Sequence, residues 1–559
     1  MFARLACVVL LTASLSSAQQ TLAAPAVPAP QGYRIGGTVV NSLSGQPVAS
    51  ASVAIAAVTQ GVDRDISKSF LTGSDGRFSF AGLSRGKYSL MATARGFTLQ
   101  YFEHHDPYAT AVAVGPDLDA EHLVFRLEPD ASIEGEVSDE NNDPIQNAMV
   151  RLFQTSTEGG KQQTLPMNQS QTDDQGHYRI GHLAPGKYYL AVSARPWYAQ
   201  NARTTGKSGS SGADAQAAQD AAALDVTYPL TFYPDSPDSA GASPLLLNPG
   251  EKATADVVLH ATPSLHLRIH TGGSAANAVL GRMVFPRVSQ SIFEGYLDSV
   301  VNAPDSWVAP GVIEISGLAP GHYVVEMPVS SGWAEKARDR GWYREIDLAG
   351  DAEVNASDGP SFAAVGGSIV FENVSHVPRE ASIQLSNPET GENFRSDMSD
   401  KGEFNFKSDD VRPGRYLVAI DNANGFFLKQ LAATGAKVTG RVIEINGAGS
   451  VRITGVASRG AARVEGAAMR DGQPFAGAMI VLVPQDPGHN LPLFRRDQSD
   501  SDGTFTLPNV VPGAYTVIAL ANGWDLEWAN PVVLQPYLKQ GESIQVPAEG
   551  KLQIKVQVQ

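Results

Sequence analysis

Apolar and polar residues alternate along much of this chain. Phe78 and Phe80 flank Ser79, and the segment Lys551 to Val558 places Leu552, Ile554, Val556 and Val558 on one side and lysine or glutamine on the other. A period of two turns alternate side chains to opposite faces, so these stretches predict strands with one face buried and one wet. Glycine, proline and Asp-Gly pairs punctuate them at short intervals, which predicts tight turns between short strands.

One sequence of elements recurs five times. Its plainest copy runs Asp75-Gly76-Arg77-Phe78-Ser79-Phe80, then Leu83, then Arg85-Gly86-Lys87-Tyr88. Further copies run from Gly176 to Tyr188, Gly311 to Tyr323, Gly402 to Tyr416 and Asp502 to Tyr515. Four copies space the two glycines by 10 residues and the Gly402 copy by 12, and in every copy the tyrosine falls two residues after the second glycine. Asp-Gly suits a hairpin, because glycine accepts positive φ without a steric cost. Pro-Gly fits the centre of a type II turn. The expected unit is a strand, a turn, and a tyrosine strand that pairs back on the first.

A second pattern opens three of the repeats. Gly45-Gln46-Pro47, Asp143-Pro144 and Gln473-Pro474 are each followed by an alanine four residues after the proline: Ala51, Ala148 and Ala478. Successive repeat tyrosines lie 100, 135, 93 and 99 residues apart. That is the spacing of domains, each with its own core, and not of a solenoid. The predicted fold is all-β, a tandem array of about five Greek-key β-sandwiches of prealbumin-like or Ig-like type. The expected division is a signal peptide (1–18), an Ala/Pro linker (19–32), and sandwiches at 33–129, 130–262, 263–363, 364–463 and 464–559. The second carries a flexible insertion at 201–225, and the third and fourth are divergent.

The chain has 559 residues, too many for one core. Its formal charge of −16 and lack of basic runs argue against a nucleic-acid partner. Arg4, the apolar run Leu5–Leu11 and the small residues Ser16-Ser17-Ala18 read as a secretory signal, so the product is expected in the periplasm, on the outer surface or secreted. Cys7, the single cysteine, lies inside that segment, which leaves the mature chain neither disulfides nor thiol chemistry. No transmembrane segment is expected after signal removal.

The opening glycine–proline turn, followed by Asp-Gly-x-Phe and Pro-Gly-x-Tyr, resembles the carboxypeptidase regulatory-like domain, a transthyretin-like module of the carbohydrate-binding-like fold. The first, second and fifth repeats carry the whole pattern. The third and fourth carry mainly its second half. In that family the domain accompanies a zinc peptidase, so the resemblance implies the fold and not peptidase activity.

The residues themselves offer little chemistry. None of the 11 histidines precedes a glutamate by three positions, and His-Glu-x-x-His, Gly-x-Ser-x-Gly and phosphate-binding glycine loops are missing. No catalytic residue, metal site or cofactor is expected. His104-His105-Asp106, with Glu103, reads as a polar loop, and His266, Arg268 and His270 as the solvated face of a strand. An aromatic follows each repeat tyrosine by nine or ten residues: Phe97, Trp197, Trp333, Phe426 and Trp524. That regularity suits rings that close each core. Tyr198, Trp342, Tyr343, Phe427 and Trp528 cluster nearby. The candidate ligand-binding aromatics are Trp197, Tyr198, Trp333, Trp342, Tyr343, Trp524 and Trp528, since exposed rings stack on sugars.

The expectation is a non-enzymatic, exported binding or surface-structural protein. One alternative is a carbohydrate-binding protein that uses the aromatic ends of its sandwiches. Another is an accessory subunit of a peptidase or transport assembly. The expected partners are accordingly a polysaccharide or another surface or periplasmic protein.

Overall fold

The computed structural model describes residues 32–559 except 60–61, 64–67, 106, 158, 201–222, 271–285, 294–295, 300–304, 310, 328–341, 356–358, 360, 389, 407–410, 424 and 448. The signal segment, all but one residue of the linker, most of the 201–225 insertion, Asp106 and Trp333 lie outside the described residues.

Alternation becomes two-sheet packing five times over. In the first sandwich, Tyr33–Asn41 lies antiparallel to Arg77–Leu83 and parallel to the closing strand Leu123–Leu127. The facing sheet is built on Ser52–Thr59 and Gly86–Thr93. The opening strands Ala131–Asp139, Leu265–His270, Ala364–Phe371 and Ala462–Arg470 repeat this plan, each between an antiparallel neighbour and a parallel closing strand. Five separate cores result. They centre on Ile35 and Phe125, Ile133 and Leu190, Ile269 and Val325, Ile369 and Val418, and Val464 and Val517. The architecture is a tandem array of five β-sandwiches.

Two local expectations need correction. The two strands of the repeated phrase do not pair with each other. Arg77–Leu83 and Gly86–Thr93 enter opposite sheets, as do their counterparts in the other copies. Each strand buries one face, so the link must carry the chain over the end of the core rather than fold it back in plane. Nor is Pro-Gly a type II turn. Gly186, Gly321 and Gly414 lie outside the left-handed region, and Gly86 and Gly513, at φ 159° and 153°, are close to extended. The left-handed residue sits four positions earlier, at Gly82, His182, Gly317 and Asn509 (φ 68°, 57°, 79° and 53°). There the pairing with the opening strand slips by one residue, between Tyr33 and Ile35 and at the equivalent places, so a bulge starts the crossing.

The repeat tyrosine secures that crossing. Tyr88, Tyr188, Tyr323, Tyr416 and Tyr515 each donate the hydroxyl hydrogen to the carbonyl four residues upstream, at 3.1, 2.7, 2.7, 2.8 and 2.8 Å. This is the tyrosine-corner arrangement of β-sandwiches. The alanine pattern has a similar cause. Ala51, Ala148 and Ala478 are fully buried, and their N–H groups donate to the hydroxyls of Thr72, Thr172 and Ser499. Those hydroxyls donate in turn to the carbonyls of Val48, Ile145 and Phe475.

The fifth sandwich adds a helix, Pro531–Leu538, capped by Asn530, whose side chain accepts from the Val532 N–H. Leu534 packs on Met479, Val481 and Ile518, the outward side of the fifth sandwich's second sheet. This second small core brings Trp524 and Trp528 to one end of the domain.

Candidate functional site

The candidate aromatics are distributed among three environments. Trp342 is 5% exposed and belongs to the third core. Tyr343 packs on Phe362 at 5.4 Å and under the Arg412 guanidinium at 5.4 Å. Arg412 also binds Glu326 at 2.6 Å, so this group ties the third sandwich to the fourth. Trp197 is 92% exposed and meets the Tyr198 ring edge-on at 5.7 Å. Among the regular set, Phe97 packs against the first core and Phe426 lies within the fourth.

Trp524 and Trp528 go elsewhere: they join the fifth sandwich to the first and second. The Trp524 ring stacks on His105 of the first sandwich, with centroids 4.6 Å apart and planes 6° from parallel. His105 Nδ1 lies 3.1 Å from Gln498 Oε1, while the Gln498 amide donates to the Glu103 carbonyl at 2.6 Å and to Thr110 Oγ1 at 2.7 Å. Trp528 donates its indole N–H to the carbonyl of Thr157 in the second sandwich at 2.9 Å, and the Thr157 hydroxyl donates to the Trp524 carbonyl at 3.2 Å. The Ala529 N–H reaches the Gly160 carbonyl at 3.0 Å. Gly160 has φ 88°, and a Cβ there would press into Ala529 and within 3.2 Å of the Trp528 ring, so only glycine fits. Arg496 covers the Trp528 ring at 4.3 Å and the Tyr108 ring at 5.0 Å, closing the junction with cation–π contacts.

The Asp-Gly loop of the fifth repeat completes this surface. Asp500 pairs with Lys87 of the first sandwich and accepts the Ala111 N–H at 2.9 Å. The Ser501 N–H donates to the Ala111 carbonyl at 3.0 Å, and the Ser501 hydroxyl accepts from Ala113 N–H at 2.9 Å. Lys87 also donates to Thr504 Oγ1 at 2.6 Å. Desolvation dominates the titration here. It pushes the Asp497 carboxyl up to about 7, raises that of Asp500 despite Lys87, and lowers the His105 imidazole. Apart from the Trp524 indole N–H, which is buried without a hydrogen-bond partner, the polar groups named here are spent on one another and on main-chain atoms, which makes the junction a clamp between domains.

The histidine expectations change accordingly. His105 is an interface residue and not part of a free polar loop. His266, expected on a solvated face, is 4% exposed. Its Nε2 lies 2.7 Å from Asp225, and Arg268 bridges the buried Glu314 at 2.9 Å and Glu353 at 3.3 Å. This charged row is neutralised internally. Among the described residues, no group of three or more His, Cys, Asp or Glu is placed to hold a metal ion.

Sandwiches joined by clamps define a class, the multidomain β-sandwich repeat protein. Within that class, the carboxypeptidase regulatory-like domain matches residues 34–124 and 132–227, so the chain is a repeat protein that carries domains of this family. No curated protein matches the chain. Among solved structures it is similar to the Bacillus anthracis TIE protein, with 12% identity over 76% of this chain and 74% of that one and a TM-score of 0.18. It is also similar to GBS52, the minor pilin of Streptococcus agalactiae, with 12% identity over 42% and 97% of the two chains and a TM-score of 0.21. The shaft pilin SpaA of Lactobacillus rhamnosus GG gives 8% identity over 42% and 98%, with a TM-score of 0.19. No described helix is long and apolar enough to cross a membrane.

Proposed function

We propose that this protein is an exported, non-enzymatic structural array in which the last sandwich locks onto the first two. The observation that carries this reading is the Trp524–Trp528 junction. Two indoles, a stacked histidine and a partly buried Lys–Asp pair hold together segments more than 360 residues apart in sequence. Flexible strings of modules gain nothing from such contacts, whereas a spacer of fixed shape requires them. The test has two parts. Fractionation with N-terminal sequencing should find the chain outside the cytoplasm, cut after Ala18, and small-angle scattering should give one compact set of distances. A cytoplasmic protein with its N-terminus intact, or scattering typical of freely jointed beads, would remove the proposal.

A second reading is carbohydrate binding at the end of the second sandwich. Its support is the Trp197–Tyr198 pair, whose indole stands almost wholly in water. A neutral-glycan array read by Trp fluorescence, with Trp197→Ala as control, distinguishes the readings. An unresponsive array leaves the structural role alone.

A further inference from the structure

A second junction, between the fourth and fifth sandwiches, encloses a groove of about 570 Å³. One wall is the edge strand Phe426–Thr434, the terminal member of its sheet. The other is formed by Leu493, Val511 and Pro512 of the fifth sandwich. Lys429, Arg441 and Arg459 line the groove, and among the described residues no aspartate or glutamate does, in a chain whose net charge is −16.

Lys429 is neutralised by Glu372, but Arg441 and Arg459 are not neutralised in the way of the His266–Arg268 row. Arg441 donates to the Leu428 carbonyl, and no described carboxylate lies within ion-pair distance of it. Arg495, close enough to repel it, is likewise satisfied by carbonyls, those of Pro492, Phe494 and Asn509. Burial lowers the Arg441 pKa, a cost that a bound anion would offset. Arg459 lies over the Phe426 ring at 4.9 Å with its outer side exposed. Of the acids around the groove, Glu372 is engaged by Lys429 at 3.0 Å and Asp486 by His489 at 3.1 Å, while Glu549, exposed beside Ala548, makes no ion pair with Arg459.

The shape of the groove selects among anionic partners. An extended peptide would add to the open edge of the sheet, but Arg441 already occupies the Leu428 carbonyl, and a bulge between Leu428 and Gln430, in the pairing with the inner strand Ser450–Arg459, bends the edge strand at that point. A ligand that needs no strand pairing fits better. Pyranose rings bury their apolar faces on walls such as Phe427, Leu493 and Pro512, and arginine forks bind carboxylate or sulfate in bidentate fashion.

We propose that this groove binds an acidic polysaccharide, with its carboxylate or sulfate groups on Arg441 and Arg459 and its ring faces on Phe427 and the fifth-sandwich wall. The site is separate from the Trp197–Tyr198 end and does not depend on the structural role of the array. Calorimetric titration of the full-length protein tests it, with oligogalacturonate for carboxylate, heparin oligosaccharide for sulfate and dextran as the neutral control. Binding of one or both acidic glycans, weakened by salt and absent for dextran, is the expected result, and the tighter of the two names the oxyanion. Arg441→Gln and Arg459→Gln should each weaken binding about tenfold, the usual weight of a charge-assisted contact. Arg459 is exposed, so Arg459→Gln keeps the test valid if Arg441→Gln loosens the junction. The proposal is overturned if neither glycan binds, if Arg459→Gln binds as tightly as wild type, or if polyglutamate binds equally well. Self-association of the protein that Arg459→Gln abolishes would overturn it too, because the groove would then receive a second copy of this acidic chain.

Discussion

The Tyr188 hydroxyl donates to the carbonyl of Ala184 at 2.7 Å, across the link where the second sandwich passes from one sheet to the other. Burial raises the Tyr188 pKa to about 12, so the hydroxyl stays a donor under all ordinary conditions. Replacing it with phenylalanine leaves the carbonyl without its partner while the ring keeps its packing. Tyr188→Phe should cost about 1–2 kcal/mol in the unfolding of that sandwich, measured by urea denaturation with fluorescence detection. An unchanged midpoint would mean that water replaces the hydroxyl at no cost.

The bridging hydroxyl of Thr172 serves two groups, the N–H of Ala148 and the carbonyl of Ile145. Thr172→Val preserves shape and removes both bonds at a buried position. The expected loss is about 1–3 kcal/mol, larger than for Thr172→Ser, which retains the hydroxyl. Equal melting temperatures for the two variants would contradict this role.

Trp524→Ala removes the ring that His105 stacks on and should open the first–fifth contact while leaving the five inter-sheet cores, none of which contains it, intact. Hydrogen exchange is expected to accelerate at Ala111, Ala113 and Ser501, whose N–H groups donate across the interface. The amides of Ile133 and Leu190, deep in the second sandwich, should not change.

Asp497 makes the same junction sensitive to pH. Its folded-state pKa, about 7, lies above the ordinary carboxylate value of 3.8. The protonated form is therefore the one favoured by folding. No penalty exists below about pH 4, where both states are protonated. It grows as pH rises towards 7 and is complete above that. Asp500, also raised, acts in the same direction, with Lys87 opposing both. The fifth sandwich should lose stability between pH 4 and 7, and Asp497→Asn should flatten that slope in thermal melts. A variant as pH-dependent as the parent would assign the effect elsewhere.

Much of this architecture could be read from local pattern. The constant position of the repeat tyrosine, two residues after a glycine, was the visible sign of a fixed hydroxyl contact, although the sequence did not reveal its acceptor. Other features were hidden for physical reasons. Whether Arg77–Leu83 pairs with Gly86–Thr93 or crosses to the other sheet depends on a left-handed residue at Gly82, and His182 and Asn509 fill that role without looking like glycine. The partners of Trp524 and Trp528 lie in other domains, at His105 and Thr157, so neither periodicity nor spacing could announce them. The Arg441 groove was equally illegible, because its two walls come from different sandwiches.

The contacts of Ser501 with Ala111 and of Trp528 with Thr157 also have a mechanical meaning. A linear string of modules transmits tension through its linkers, so each domain is loaded in turn. Here the fifth sandwich grips the first two, and a pull that separates it from the first must shear the clamp before any sheet is stretched. The array should therefore yield in two stages under force. The clamp releases first and frees length without unfolding a domain, and the five sandwiches then come apart one at a time. The junction would act as a resettable shock absorber, able to close again when the load is removed.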